Sequence, residues 1–135
     1  MPRPRKTAEL IKKKRPKYLD LTEIKLPLPA FVSILHRVSG VGMYLVGIPF
    51  GLYLLQASLA SEQGYAEAGA IADHWFVKMI LFGLLWAFLH HFCAGIRYLA
   101  LDLHLGEELQ QARSSSYAVF GASLLLTVIF GAQLW

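Results

Sequence analysis

The sequence predicts an all-α membrane protein: three transmembrane helices behind a basic cytoplasmic N-terminal arm, oriented N-in and C-out. Three observations carry this expectation. Hydrophobic residues make up 56% of the 135 positions and the mean hydropathy is +0.46, too apolar for an ordinary soluble domain. Three stretches contain no charged residue, Val38 to Ala60, Met79 to Ile96 and Tyr117 to Trp135, and each meets the length of about 18 to 20 residues that a spanning helix requires. Finally, ten of the thirteen Lys and Arg residues lie at or before Arg37, which places the N-terminus on the cytoplasmic side.

The first segment, residues 1–28, is polar and interrupted by Pro2, Pro4, Pro16 and Pro27, with Lys12-Lys13-Lys14-Arg15 at its centre. It reads as an arm that is partly helical around Thr7 to Lys14 and lies on lipid headgroups or on a partner. The rest, residues 29–135, reads as one three-helix anchor domain. Helix one is expected over about 29–60, because Pro29 suits a first helical turn and the apolar run follows without a break. Pro49 inside it predicts a kink, with Gly47 and Gly51 admitting close neighbours.

The loop from Ala60 to Trp75 holds Glu62, Glu67 and Asp73 without Lys or Arg, so it belongs outside, where a short surface helix is expected and His74 lies in water. Helix two is expected over about 75–103, anchored at the interface by Trp75 and Phe76, with Lys78 reaching outward. Helix three is expected over about 115–135. Backbone amides in lipid must be satisfied within their own segment, so runs this long without strand alternation are helices.

Other readings of the basic, apolar start are weaker. A secretory signal would carry a shorter apolar run and a small-residue cleavage site. Nucleic-acid binding would interleave stacking aromatics with the cations, whereas here the cations stop where the apolar run begins. The single cysteine, Cys93, lies inside a span and has no intrachain partner for a disulfide. No transit peptide is evident, which favours a multi-pass protein of a bacterial inner membrane.

The residues that carry chemistry cluster in two places. Helix two contains His90, His91, Gly95, Arg97, Tyr98 and Asp102, and ionisable groups inside a span are costly enough to suggest function. Successive residues differ by about 100° around a helix, so His91, Gly95 and Tyr98 share one stripe, while His90 and Arg97 share another. A histidine one turn from a residue without a side chain is what a large flat metal ligand needs, and it equally suits a histidine hydrogen-bonded between helices. Depth favours the first reading. His91 lies about 9 Å along the axis from Arg97, and Arg37 starts helix one at the level of Arg97. A haem standing upright on His91 would turn its propionates toward both arginines, and carboxylates near lipid need such partners.

His36 and His104 are expected near the cytoplasmic surface, His74 outside, and His90 on another face. With no second histidine expected opposite His91, the other axial ligand is expected from another subunit. In helix one, Ser33 and Arg37 are four residues apart on one face at the membrane border, which suits the polar head of an amphiphile such as a quinone and equally suits an N-terminal-turn serine beside a positive-inside arginine. His36 beside them is a proton carrier or an interface residue.

The pattern Arg15-Pro16, Leu19-Asp20-Leu21, Pro27, Ser33-Ile-Leu-His36-Arg37-Val-Ser-Gly40-Val41, then His91-x-x-x-Gly95-Ile96-Arg97 and Asp102, resembles the cytochrome b subunits of succinate dehydrogenase over nearly the whole chain. The resemblance implies a membrane anchor of succinate:quinone oxidoreductase, respiratory complex II, that is not catalytic alone. It implies a second three-helix anchor sharing a haem b, with a flavoprotein and an iron-sulfur protein on the cytoplasmic side. Electrons from succinate would pass through iron-sulfur clusters to ubiquinone. By resemblance His91 is the axial haem ligand, Ser33 and Arg37 contact quinone, and His36, Arg37 and Arg97 contact haem propionates or the edge of the site.

Two positions depart from the family pattern. Tyr98 follows Arg97 where some relatives have histidine, removing a second histidine from the haem edge. His90 stands where they have tyrosine, making it a rival ligand, although only His91 has Gly95 at i+4. The related anchor of a fumarate reductase is the nearest alternative. A non-redox anchor or small transporter, with His91 and Arg97 as a proton relay, is the alternative of another class.

Overall fold

The computed structural model describes residues 25–134. The expected N-terminal arm lies, up to residue 24, outside the described residues, including the helix expected around Thr7 to Lys14. Among the described residues there are helices and no strand. In chain order these are α1 (Leu28–Gly42), a π-helical turn (Met43–Gly47), α2 (Ile48–Ala60), α3 (Glu62–Asp73), α4 (Trp75–Asp102) and α5 (Leu109–Leu134). Three helical stretches are long and apolar enough to span a membrane: Leu28–Ala60, Trp75–Asp102 and Leu109–Gln133.

The first span starts where the chemistry allows. Pro27 is extended at the N-cap and Pro29 sits in the first turn, where a missing N–H breaks no helical bond. Further along, Pro49 removes a donor and crowds the carbonyl four residues back. The helix responds by widening into the π turn, in which the Ile48 N–H reaches five residues back to the Met43 carbonyl. The expected kink is thus a one-turn bulge just ahead of the proline.

The connection between the first two spans is a helix in its own right. The Ser61 hydroxyl caps α3 by accepting from the Gly64 N–H at 2.9 Å. A Cβ on Gly64 would overlap the Ala57 carbonyl oxygen, so glycine is what lets α3 fold straight back onto α2. At the start of α4 the His74 ring accepts from the Phe76 N–H, and Lys78 pairs with Asp73, its ammonium carried out of the span by its own stem. That ion pair, hydrogen bond first and charge second, holds the Asp73 carboxyl below its ordinary range.

α4 is 28 residues long, about 42 Å, and it is the spine of the molecule. α1 packs on one side of it and α5 on another, and all three meet at Val32, Ala94 and Val119. A positive-φ turn at His104 and Gly106 reverses the chain into α5. α5 begins at Leu109 rather than about 115, because the polar residues Gln110 to Ser116 continue the helix out of the apolar run. Ser116, Ser123 and Thr127 are buried, each hydroxyl satisfied by a carbonyl of its own helix. Such small polar residues admit close helix approach without leaving a bare donor in lipid.

Beyond the π turn the first span parts from α4, and α2 packs on α3. The divergence leaves an apolar cleft of about 550 Å³ lined by Met43, Gly47, Ile48, Ala72, Leu84 and Phe88. Even the most enclosed span has only 28% of its apolar window buried, and Tyr44, Leu52, Leu59, Phe88, Phe92 and Leu125 are exposed. A surface this apolar belongs in lipid or against other membrane subunits, so this is a multi-pass membrane protein.

Candidate functional site

Helical spacing sorts residues 32–40 of α1 into faces. Val32, His36, Ser39 and Gly40 turn toward α4, with Val32 and Ser39 buried, while Arg37 is exposed one step around the helix. Ser33, half-buried, shares the face of Arg37. The run from Ser33 to Gly40 is therefore divided between a set that faces α4 and a set that does not.

The inward set closes on His91. Its Nδ1 lies 2.9 Å from the backbone carbonyl oxygen of His36. A carbonyl has no proton to give, so Nδ1 carries the hydrogen and donates, which leaves Nε2 with the lone pair. The Ser39 hydroxyl donates to the same carbonyl at 2.9 Å, and its oxygen lies 3.3 Å from Nδ1. The imidazole of His36 stacks on that of His91, with centroids 4.0 Å apart and planes inclined by 15°. Gly40 completes the contact, because a Cβ there would stand 2.9 Å from Cε1 of His91.

Two contacts of His36 go beyond what spacing along one helix shows. Its ring lies at the level of His91, with Tyr98 beside it at 5.1 Å between centroids. Its Nε2 stands 3.9 Å from where a Cβ of Gly95 would be. The cause of both is helix register, which brings His36 opposite the turn His91 to Gly95. Stacked rings this close cannot bind opposite faces of one metal, which requires both nitrogens to point at an ion between them at about 2 Å each. Among the described residues, therefore, His36 does not supply a second axial ligand beside His91.

The other stripe of α4 faces inward to the bundle. His90 is fully buried between Trp86 and Phe120, with ring centroids 5.3 Å from each, and neither ring nitrogen has a hydrogen-bond partner. Its enclosure within this chain's own helices keeps it from a ligand shared with another subunit. Arg97 is likewise buried: Nε donates to the Ser115 hydroxyl at 2.9 Å and one terminal amino group to the Ala112 carbonyl at 3.4 Å. It ties α4 to α5, a partnership that spacing within one helix does not reveal. His104 is exposed and pairs with Glu107.

The donor set can be tested against a haem. A haem needs one imidazole nitrogen from this chain, not a cluster, and the described residues contain no group of three or more His, Cys, Asp or Glu placed to hold a metal ion. His91 meets the requirement: its tautomer is set by a carbonyl, its ring is held by stacking, and it is only partly buried within the chain. The residues missed by sequence reasoning are Ser39 and Gly40. Their signal was present in the spacing, since they lie three and four residues after His36 and are small.

The family model described as Succinate dehydrogenase/Fumarate reductase transmembrane subunit matches residues 11–130. Among curated proteins, the chain is 38% identical to the succinate dehydrogenase cytochrome b556 subunit of Coxiella burnetii, covering 90% of this chain and 98% of that one. It is 34% identical to the subunit of the same name from Paracoccus denitrificans, over 90% and 93% of the two chains. A succinate dehydrogenase cytochrome b560 subunit of Reclinomonas americana is 30% identical, over 85% and 83%.

Proposed function

The chain belongs to the succinate dehydrogenase/fumarate reductase transmembrane subunit family, and on that premise we propose that it is the cytochrome b anchor of a succinate:quinone oxidoreductase, holding one side of a b-type haem through His91 Nε2. The observation that carries this reading is the Nδ1 bond from His91 to the His36 carbonyl. A carbonyl behind the ring is the usual support of a metal-bound histidine, because it fixes the tautomer and raises the basicity of the free nitrogen. When bound, the haem supplies one-electron redox chemistry.

The remaining roles follow from placement. His36 and Gly40 hold the His91 ring, one by stacking and one by giving it room. Arg37, exposed in the third turn of α1, presents its guanidinium to carboxylates or to a quinone head, and Ser33 on the same face offers a hydroxyl. Arg97 is committed to α5 through two of its nitrogens, so its contribution to a propionate comes from the remaining amino group. The second axial ligand comes from another anchor subunit, as His36 and His90 are otherwise engaged. The names of the relatives support succinate dehydrogenase as the enzyme. In the proposed complex, flavoprotein and iron-sulfur subunits dock on the cytoplasmic side. Ubiquinone is the acceptor and the bacterial inner membrane the location, with the N-terminus inside and the C-terminus outside.

The test is a reduced-minus-oxidised spectrum of the purified complex. His91→Ala removes the haem band and His90→Ala retains it. The opposite pattern would assign the iron to His90 and overturn the reading.

A further inference from the structure

An imidazole bound to a metal by one nitrogen is free to turn about its bond to Cβ, since that torsion has broad wells. One hydrogen bond to a carbonyl restrains the ring and still permits rocking about the N–H···O line. His91 has a second restraint. The Ser39 hydroxyl gives its proton to the His36 carbonyl at 2.9 Å, which leaves its oxygen turned, as an acceptor, toward the same Nδ1–H at 3.3 Å. A buried serine bonded to a carbonyl three residues back is common inside membrane helices, and Ser123 of α5 is such a case, bonded to Phe120. Ser39 differs because the carbonyl it reaches is the one that His91 uses.

We propose that Ser39 is a positioning residue for the haem, acting through His91: it locks the plane of the imidazole by completing a three-membered arrangement of Ser39 Oγ, His36 carbonyl and His91 Nδ1. Stacked His36 closes one face of the ring and the bare backbone of Gly40 abuts its Cε1–Nδ1 edge, so Ser39 supplies the constraint that neither of those provides. The proposal rests on His91 as the axial ligand. Outer partners of metal-bound histidines typically change affinity by about 10–100-fold when removed. Here the carbonyl remains after serine is replaced, so the expected loss of haem affinity is at the lower end, about 10-fold.

The orientation of the ring is read by low-temperature electron paramagnetic resonance of the oxidised complex, because the anisotropy of a low-spin haem depends on the planes of its axial imidazoles. Ser39→Ala is expected to retain a low-spin haem with a shifted and broadened low-field signal. Ser39→Thr, which keeps the hydroxyl, restores the wild-type position. Ser123→Ala, a buried serine that does not reach His91, leaves the signal unchanged. A merely structural serine would lower the amount of complex without moving the signal of the haem that remains. Superimposable wild-type and Ser39→Ala signals would overturn the proposal while leaving His91 as the ligand. A haem signal that persists in His91→Ala would instead remove the reading on which it rests.

Discussion

The two sides of the π turn are built from the same kinds of apolar residue and do different things. On the α1 side the helices close tightly: Gly40 lets backbone abut an imidazole, Val32 meets Ala94 and Val119, and the Ser39 hydroxyl and His91 Nδ1 share one carbonyl. On the α2 side the span leaves α4, rests on α3 and leaves a cleft lined entirely by apolar side chains. A polar ligand has nothing to bond to there. The comparison teaches that chemistry in a small membrane subunit sits where small residues bring two helices close enough to share hydrogen bonds. Where the helices diverge, the surface serves lipid and partner chains.

The sharpest way to break this comparison is to exchange the behaviour of glycines on the two sides. Gly40→Val pushes into His91, so the ring leaves the His36 carbonyl and haem content falls to about a tenth or less. Gly51→Val, beyond the π turn with nothing within 4 Å, leaves haem content at the wild-type level. Equal haem content in the two variants, measured by the pyridine haemochrome per complex, would erase the distinction.

On the exposed face of α1 the expected effect is on quinone reduction and not on haem content. Arg37→Leu removes a charge-assisted bond worth about 1.5–3 kcal/mol, and quinone reduction falls by about 10–100-fold. Ser33→Ala loses a neutral bond of about 1 kcal/mol, or about five-fold. Both variants keep succinate oxidation by a soluble artificial acceptor. Parallel loss of the two activities would show that the substitution disturbs assembly and not the quinone head.

The smallest effect belongs to the junction of α3 and α4. Because Lys78 lowers the Asp73 carboxyl, the pair favours the folded state above the ordinary carboxylate range, and that contribution is lost as pH falls through the lowered value. Asp73 is fully exposed to solvent and the pair is screened, so Asp73→Asn melts with the wild type at neutral pH within error, and any small difference vanishes in acid. A large melting shift would mean that the outer half contributes more than the comparison allows.

Much of this was legible in the residues. Uncharged runs marked the spans, and the 100° step between neighbours separated His91, which meets α1, from His90, which is buried between Trp86 and Phe120. Pro49 announced a break in helix one, although its form as a π turn depends on how the chain redistributes its carbonyls. What sequence spacing could not supply was register between helices. Angle around a single axis said nothing of which α1 residue meets the turn His91 to Gly95, whereas the packing of α1 on α4 puts His36 there. The partners of Arg97 on α5 were hidden for the same reason.

The central claim is that His91 Nε2 binds the haem iron, and chemical rescue tests it most directly. The His91→Gly complex, titrated with imidazole and followed by its reduced-minus-oxidised spectrum, is expected to lack the wild-type haem band and to regain it as free imidazole fills the space left by the ring. A wild-type band in His91→Gly before any imidazole is added would contradict the account.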